Sequence, residues 1–157
     1  MRASGSVFDC MVFVQAIASR GTAFQCLQSC MESPEPLFVS EATLEELADV
    51  LSRPELQRKL RGITPARVEA LMHHLREFGQ KVDPVPRLMQ FPPDPKDEPY
   101  LNLAIAAKAR DLVTRDKAML RLSEPASPFA VDLLEHHPTL RIVVPEDLLD
   151  LSKKLPA

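Results

Sequence analysis

Short apolar runs along this chain alternate with longer stretches whose apolar positions recur at intervals of three and four, the alternation of buried strands with amphipathic helices. Residues 6–9 read as a short buried strand, and the apolar stretch 11–18 that follows is too long for a strand and suits a packed helix. Gly21-Thr22 breaks it, with Thr22 as the cap of a second helix running to 30–31. Pro34 and Pro36 flank a turn into Leu37-Phe38-Val39, the second strand candidate. Ser40-Glu41 and Glu45-Glu46 surround the start of the next helix, where acidic residues favour the positive end of the dipole. Leu44, Leu47, Val50 and Leu51 give that helix its apolar face.

Proline punctuates the rest. Pro54 and Pro65 divide the middle into helical pieces at 55–61 and 66–79, because proline suits a first turn and resists a helix interior. Leu71, Leu75 and Phe78 form the apolar stripe of the longer piece. Five prolines, at 84, 86, 92, 93 and 95, make 82–95 an extended connector with a short strand near Val82. Asp97-Glu98-Pro99 starts a helix that continues to Arg110, Leu112-Val113-Thr114 is the next strand, and 117–122 a short helix. Residues 123–139 read as loop with one helical turn, 140–144 as the last strand, and Pro145 opens a terminal helix. Strands separated by helices predict an α/β sandwich around a mostly parallel sheet, since parallel neighbours require crossover connections.

Composition narrows the class. A chain of 157 residues with 45% hydrophobic residues fits one domain, over 1–157, with one core. The formal charge of −3, from 19 Lys plus Arg against 22 Asp plus Glu, argues against an obviously basic nucleic-acid binder. Three cysteines without CxxC spacing and no signal-peptide pattern at the start point to a reducing cytoplasm. No apolar run approaches the roughly 18 residues of a membrane span.

The charge pattern carries the chemistry. Asp9, Glu46, Asp97 and Asp116 each stand where a short apolar run ends or the following helix begins. A parallel sheet places its ligand site at the carboxyl ends of its strands, so these acids can converge there if a cation holds them together. Carboxylate oxygens select Mg²⁺ or Mn²⁺, which leave room for a phosphodiester. Such a metal polarises the phosphoryl oxygen and activates a water, so no nucleophilic side chain is needed. In keeping with this, the chain has no G-x-S-x-G elbow, Walker A loop or H-E-x-x-H, and only 4 glycines.

Val7-Phe8-Asp9-Cys10-Met11-Val12, Phe38-Val39-Ser40 with Glu45-Glu46-Leu47, the phrase from Asp94-Pro95-Lys96-Asp97 to Leu103-Ala104, and Leu112-Val113-Thr114-Arg115-Asp116 together resemble a PIN domain of the toxin–antitoxin type. Arg53-Pro54-Glu55-Leu56 and Val144-Pro145-Glu146-Asp147-Leu148-Leu149 extend the resemblance over nearly the whole chain. It implies a three-layer α/β/α sandwich with a central parallel sheet, usually dimeric. It also implies Mg²⁺- or Mn²⁺-dependent endoribonuclease activity, neutralised in VapC-like members by a cognate antitoxin. Carried over by position, Asp9, Glu46, Asp97 and Asp116 are the four catalytic and metal-binding acids, and Asp94 and Glu98 compete with Asp97 for the third place. Asp94 alternatively caps the turn at Pro95. Thr114 matches a Ser or Thr that bonds a carboxylate or phosphate, Ser40 sits beside the second acid, and Arg115 and Lys117 flank the fourth as phosphate contacts. The family commonly has Asp-Thr-Asn at its first strand end where this chain has Asp9-Cys10-Met11, a lost amide that sets activity against a PIN-like RNA- or antitoxin-binding module with weakened catalysis. Met11 is expected to turn into the core.

Other readings fall behind. A haloacid-dehalogenase-like phosphatase wants an Asp at position 11, and a receiver domain wants a lysine at the end of the last strand, which here ends in Val and Pro. His73-His74 and His136-His137 are adjacent pairs that do not face one metal from a helix, which disfavours zinc. Cys10 reads as a small buried hydrophobe. Arg53, Arg58, Lys59, Arg61 and Arg67 are either a track for an RNA backbone or a solvated helix face.

Overall fold

The computed structural model describes residues 3–91 and 93–154, and the side chains of all of these up to residue 150. Five short parallel strands carry the architecture: β1 Ser6–Phe8, β2 Phe38–Val39, β3 Gln80–Lys81, β4 Asp111–Val113 and β5 Arg141–Val143. β4 lies between β1 and β5, and β2 pairs with β3. A single parallel bridge from Ser6 to Leu37 sets the smaller sheet beside β1, so the order across the molecule is β3, β2, β1, β4, β5. The chain steps outward from β1 to β3 and then jumps back over to β4. The carboxyl ends of β1 and β4 therefore flank the topological switch point, where parallel sheets open a crevice.

The crossovers are helical. α1 (Cys10–Ala18) and α2 (Thr22–Glu32) join β1 to β2, and α3 (Glu41–Leu51), α4 (Pro54–Lys59) and α5 (Pro65–Phe78) join β2 to β3. α6 (Glu98–Ala107) leads into β4, α7 (Lys117–Leu120), a 3-10 turn and α8 (Ala130–His136) lead into β5, and α9 (Pro145–Lys154) follows. Right-handed crossovers running in opposite directions along a sheet place their helices on opposite faces. Accordingly α6 packs on β1, β2 and β4, whereas α1 packs on α2 and α5, and α9 returns to lie on α2. The α/β sandwich expected from the sequence is the fold observed.

α1 is apolar nearly all round because it is enclosed: Val12 and Val14 are fully buried and Phe13 and Ala16 nearly so. Phe8, Leu44, Leu47, Leu101 and Leu112 form the centre of the core at the sheet. Gly5, at φ +83°, turns the chain into β1 where a side chain would collide with Pro36, and its carbonyl accepts the N–H groups of Arg110 and Asp111.

Several elements depart from the expected ones. Gly21, not Thr22, stands at the cap of α2, and no side chain caps it; Thr22 is the first helical residue. α6 stops at Ala107 rather than Arg110, because Lys108 turns left-handed at φ 55° and its N–H closes back on Ala104 and Ile105. Residues 130–136 form two turns of helix where a single turn was expected. Phe78, placed on the buried stripe of α5, is 74% exposed and stacks on His74 at 4.7 Å, while Leu71 and Leu75 are buried as expected. The third strand lies at Gln80–Lys81, just before Val82, whose N–H still bonds to the carbonyl of Val39. The connector 82–95 is irregular, as its prolines require, and Pro92 lies outside the described residues.

Candidate active site

Asp9 directly follows β1 and caps α1. One carboxylate oxygen accepts the Val12 N–H at 2.9 Å, which satisfies an orphan donor of the helix. The other accepts the hydroxyl of Thr114, the fully buried residue that follows β4. The Thr114 oxygen in turn accepts the N–H of Asp116 at 3.0 Å, so one side chain ties the ends of two neighbouring strands together. Asp116 repeats the capping arrangement, one oxygen accepting the Met119 N–H at 2.9 Å at the start of α7. Thr114 therefore bonds a carboxylate, one of the two contacts that the family resemblance implied for its position.

Asp97 opens α6 without capping it: its backbone is helical, and its side chain takes no N–H from the first turn. That side chain instead turns toward Asp94 and Asp116. Carboxylate oxygens of Asp94, Asp97 and Asp116 all lie within 4.8 Å of one another, and the buried Oδ2 of Asp97 has no hydrogen-bond partner. Burial, followed by the negative charges of Asp116, Asp94 and Asp9, pushes the Asp97 carboxyl up to about 8. Asp9 is raised as well, by burial first and despite its two donors. No lysine or arginine pairs with these three aspartates among the described residues.

The competition for the third acid resolves into a partnership. Asp94 joins Asp97 rather than replacing it, and it also caps its own turn, one oxygen accepting the Lys96 N–H at 3.1 Å. Glu98 points elsewhere, accepting the Phe91 N–H at 2.6 Å and pairing with Arg87 at 3.2 Å, contacts that hold its carboxyl below the usual range. Glu46 rather than exposed Glu45 is half-buried, and burial raises its carboxyl, with Tyr100, Lys96, Arg53 and Asp9 among its polar surroundings. It feels the charge of Asp9 but stands outside the aspartate trio.

The remaining candidates are accounted for by local structure. Ser40 is buried in a reciprocal capping box with Thr43 at the start of α3. Arg115 is held by Gln15 at 2.6 Å and by both oxygens of Glu146 at 3.0 and 2.7 Å. Lys117 is exposed. Burial and then the charge of Glu46 push the Cys10 thiol up to about 12, so it stays a neutral packing group, as expected. Met11, expected in the core, is 49% exposed: it lies on the one side of α1 that the core leaves uncovered. Asn102 escaped notice in the sequence. Buried on α6, it accepts the N–H groups of Leu88 and Met89 and donates to the Met89 and Glu98 carbonyls, fixing the proline-rich connector that delivers Asp94. Its only signal was an amide among apolar helix positions.

The sequence profile of the PIN domain family matches residues 6–118, a span that runs from β1 through the start of α7 and contains every acid of the site. The chain belongs to the PIN domain family. PIN domains are generally nucleases, and they typically bind divalent metals. No curated protein and no solved structure matches the chain significantly. The residues of this PIN domain suit such a metal: three hard carboxylate donors converge, and one buried oxygen lacks any partner.

Proposed function

We propose that this PIN domain is a Mg²⁺- or Mn²⁺-dependent endoribonuclease that hydrolyses RNA phosphodiester bonds and serves as the toxin of a toxin–antitoxin pair. The observation supporting the nuclease reading is the uncompensated Asp94–Asp97–Asp116 cluster, whose mutual repulsion and orphan oxygen call for a cation. Asp94, Asp97 and Asp116 would hold a divalent ion, which would supply polarisation of a phosphoryl oxygen and a water of lowered pKa. The chain supplies the rest. Asp97 and Asp116 are the ligands, with Asp94 beside them, and Asp9 is oriented by Thr114 and the start of α1. Lys96 and Arg53, exposed and on the Glu46 side, offer positive charge along the path of an RNA backbone. Lys117 extends that charge past Asp116, whereas Arg115 is committed to Glu146. A cognate antitoxin and a second copy of the chain are the protein partners that go with this reading.

Purified protein is expected to cleave single-stranded RNA with Mn²⁺ or Mg²⁺ and to stop when EDTA is added. Asp116→Asn is expected to lower the rate by about 100-fold or more, the loss of a metal ligand at the reacting centre. Cleavage that persists in EDTA or survives the substitution refutes the metal mechanism. Met11 favours a second reading, an RNA- or antitoxin-binding module with weak catalysis, because an exposed thioether beside Asp9 replaces a polar amide. Intact RNA in the presence of bound Mn²⁺ decides for that alternative.

A further inference from the structure

Tyr100 follows Asp97 by three residues on the first turn of α6 and is 2% exposed, yet its hydroxyl has no hydrogen-bond partner. A buried hydroxyl without a partner is costly and needs explaining. Its polar neighbours are Cys10, Glu46 and Asp9. A thiol is a weak acceptor, and each Asp9 oxygen already carries a donor, from Val12 and from Thr114. The Glu46 carboxylate has no ion pair among the described residues, the Tyr100 hydroxyl is the neighbour that most favours its charged form, and it sits at the end of a side chain that can rotate. Resting on the metal-dependent reading above, we propose that Tyr100 is a positioning residue: its hydroxyl donates to the Glu46 carboxylate and holds this acid of α3 against the aspartates of α6 and α7. The contact would let a cation draw the isolated fourth acid into the site. It also ties the place of Glu46 to the helix that carries Asp97.

The chain offers its own probe, since Tyr100 is its sole tyrosine and it has no tryptophan. The tyrosine Raman doublet, whose intensity ratio separates donating from unpaired hydroxyls, would be recorded for wild type, Glu46→Ala and Cys10→Ala, with and without Mg²⁺. The proposal expects a donor signature in wild type, with or without the ion, that Glu46→Ala abolishes and Cys10→Ala leaves in place. A signature indifferent to Glu46 in both conditions, or one that follows Cys10, overturns it. Calorimetric titration with Mn²⁺ in the absence of RNA supplies the second readout. Tyr100→Phe is expected to weaken binding about fivefold, the scale of one lost hydrogen bond to a charged group in a half-exposed site, and to add nothing in a Glu46→Ala background. Wild-type affinity in Tyr100→Phe, or full additivity of the two substitutions, also overturns the proposal. If wild type binds no Mn²⁺, the metal reading fails by itself, and the Raman comparison without metal still decides the role of Tyr100.

Discussion

The two ends of β4 bury acids in opposite ways. At the amino end, Asp111 is completely buried and accepts from Arg110 at 2.9 Å and Arg141 at 2.8 Å, while Arg110 also reaches Glu35 at 2.6 Å. At the carboxyl end, Asp116 faces Asp94 and Asp97 with no cationic side chain at ion-pair distance from them among the described residues, and Asp9 stands behind them. The amino end is electrostatically complete and ties β4 to β5 and, through Arg110, to Glu35 ahead of β2. The carboxyl end is incomplete, its charge balanced only by protons or by something brought in. Burial therefore does not distinguish a structural acid from a functional one; the origin of the balancing charge does.

The sharpest test of this contrast is to remove one acid from each end. Asp111→Ala leaves the Arg141 guanidinium without a counter-charge and Arg110 with Glu35 alone, and is expected to cost about 3 kcal/mol in urea unfolding. Asp97→Asn is expected to raise the stability of the metal-free protein, because it removes a carboxyl whose ionised form burial and then the neighbouring aspartates disfavour. If the two substitutions destabilise equally, the contrast fails.

The pH dependence of stability sharpens it further. Asp97 in the folded protein holds its proton up to about 8, far above the ordinary 3.8. Between these values the folded state binds more protons than the unfolded one, so stability falls as pH rises. The contribution is fully present below about 4 and is lost by the time pH passes 8. Asp9 and Glu46 are shifted in the same direction. Melting of the metal-free protein from pH 5 to 8.5, on the order of the window set by linkage, is expected to show a declining Tm, with Mg²⁺ or Asp97→Asn flattening the slope. A smaller effect is expected at Thr114→Val, which keeps the shape but strips Asp9 of its donor and Asp116 N–H of its acceptor. Chemical unfolding is expected to show a loss of about 1–2 kcal/mol, together with slower RNA cleavage.

Much of the fold was legible because its determinants are local. Pro54, Pro65 and Pro99 each fall in the first turn of a helix, as their fixed φ and missing N–H dictate. Three-residue strands showed as apolar runs, and the acids behind β1 and β4 marked their carboxyl ends. Phe78 and Met11 misled because the sequence says which residues are apolar and share a face but not whether another element covers the end turns of the helix that carries them. Asp111 was passed over because an acid at the start of a strand carries no sign of the arginines that will meet it.

By itself, then, the sequence determined the order of elements, the parallel sheet they require, and the family phrases around four acids. Only the tertiary structure decided which acids meet: it added Asp94 to Asp97 and Asp116, sent Glu98 to Arg87, and left Glu46 to one side near Tyr100. The reason is physical. Helix starts and strand ends follow from the backbone preferences of a few neighbouring residues, whereas the charge a carboxylate feels is set by groups on other elements a few ångströms away, whose approach depends on how the helices pack over the switch point.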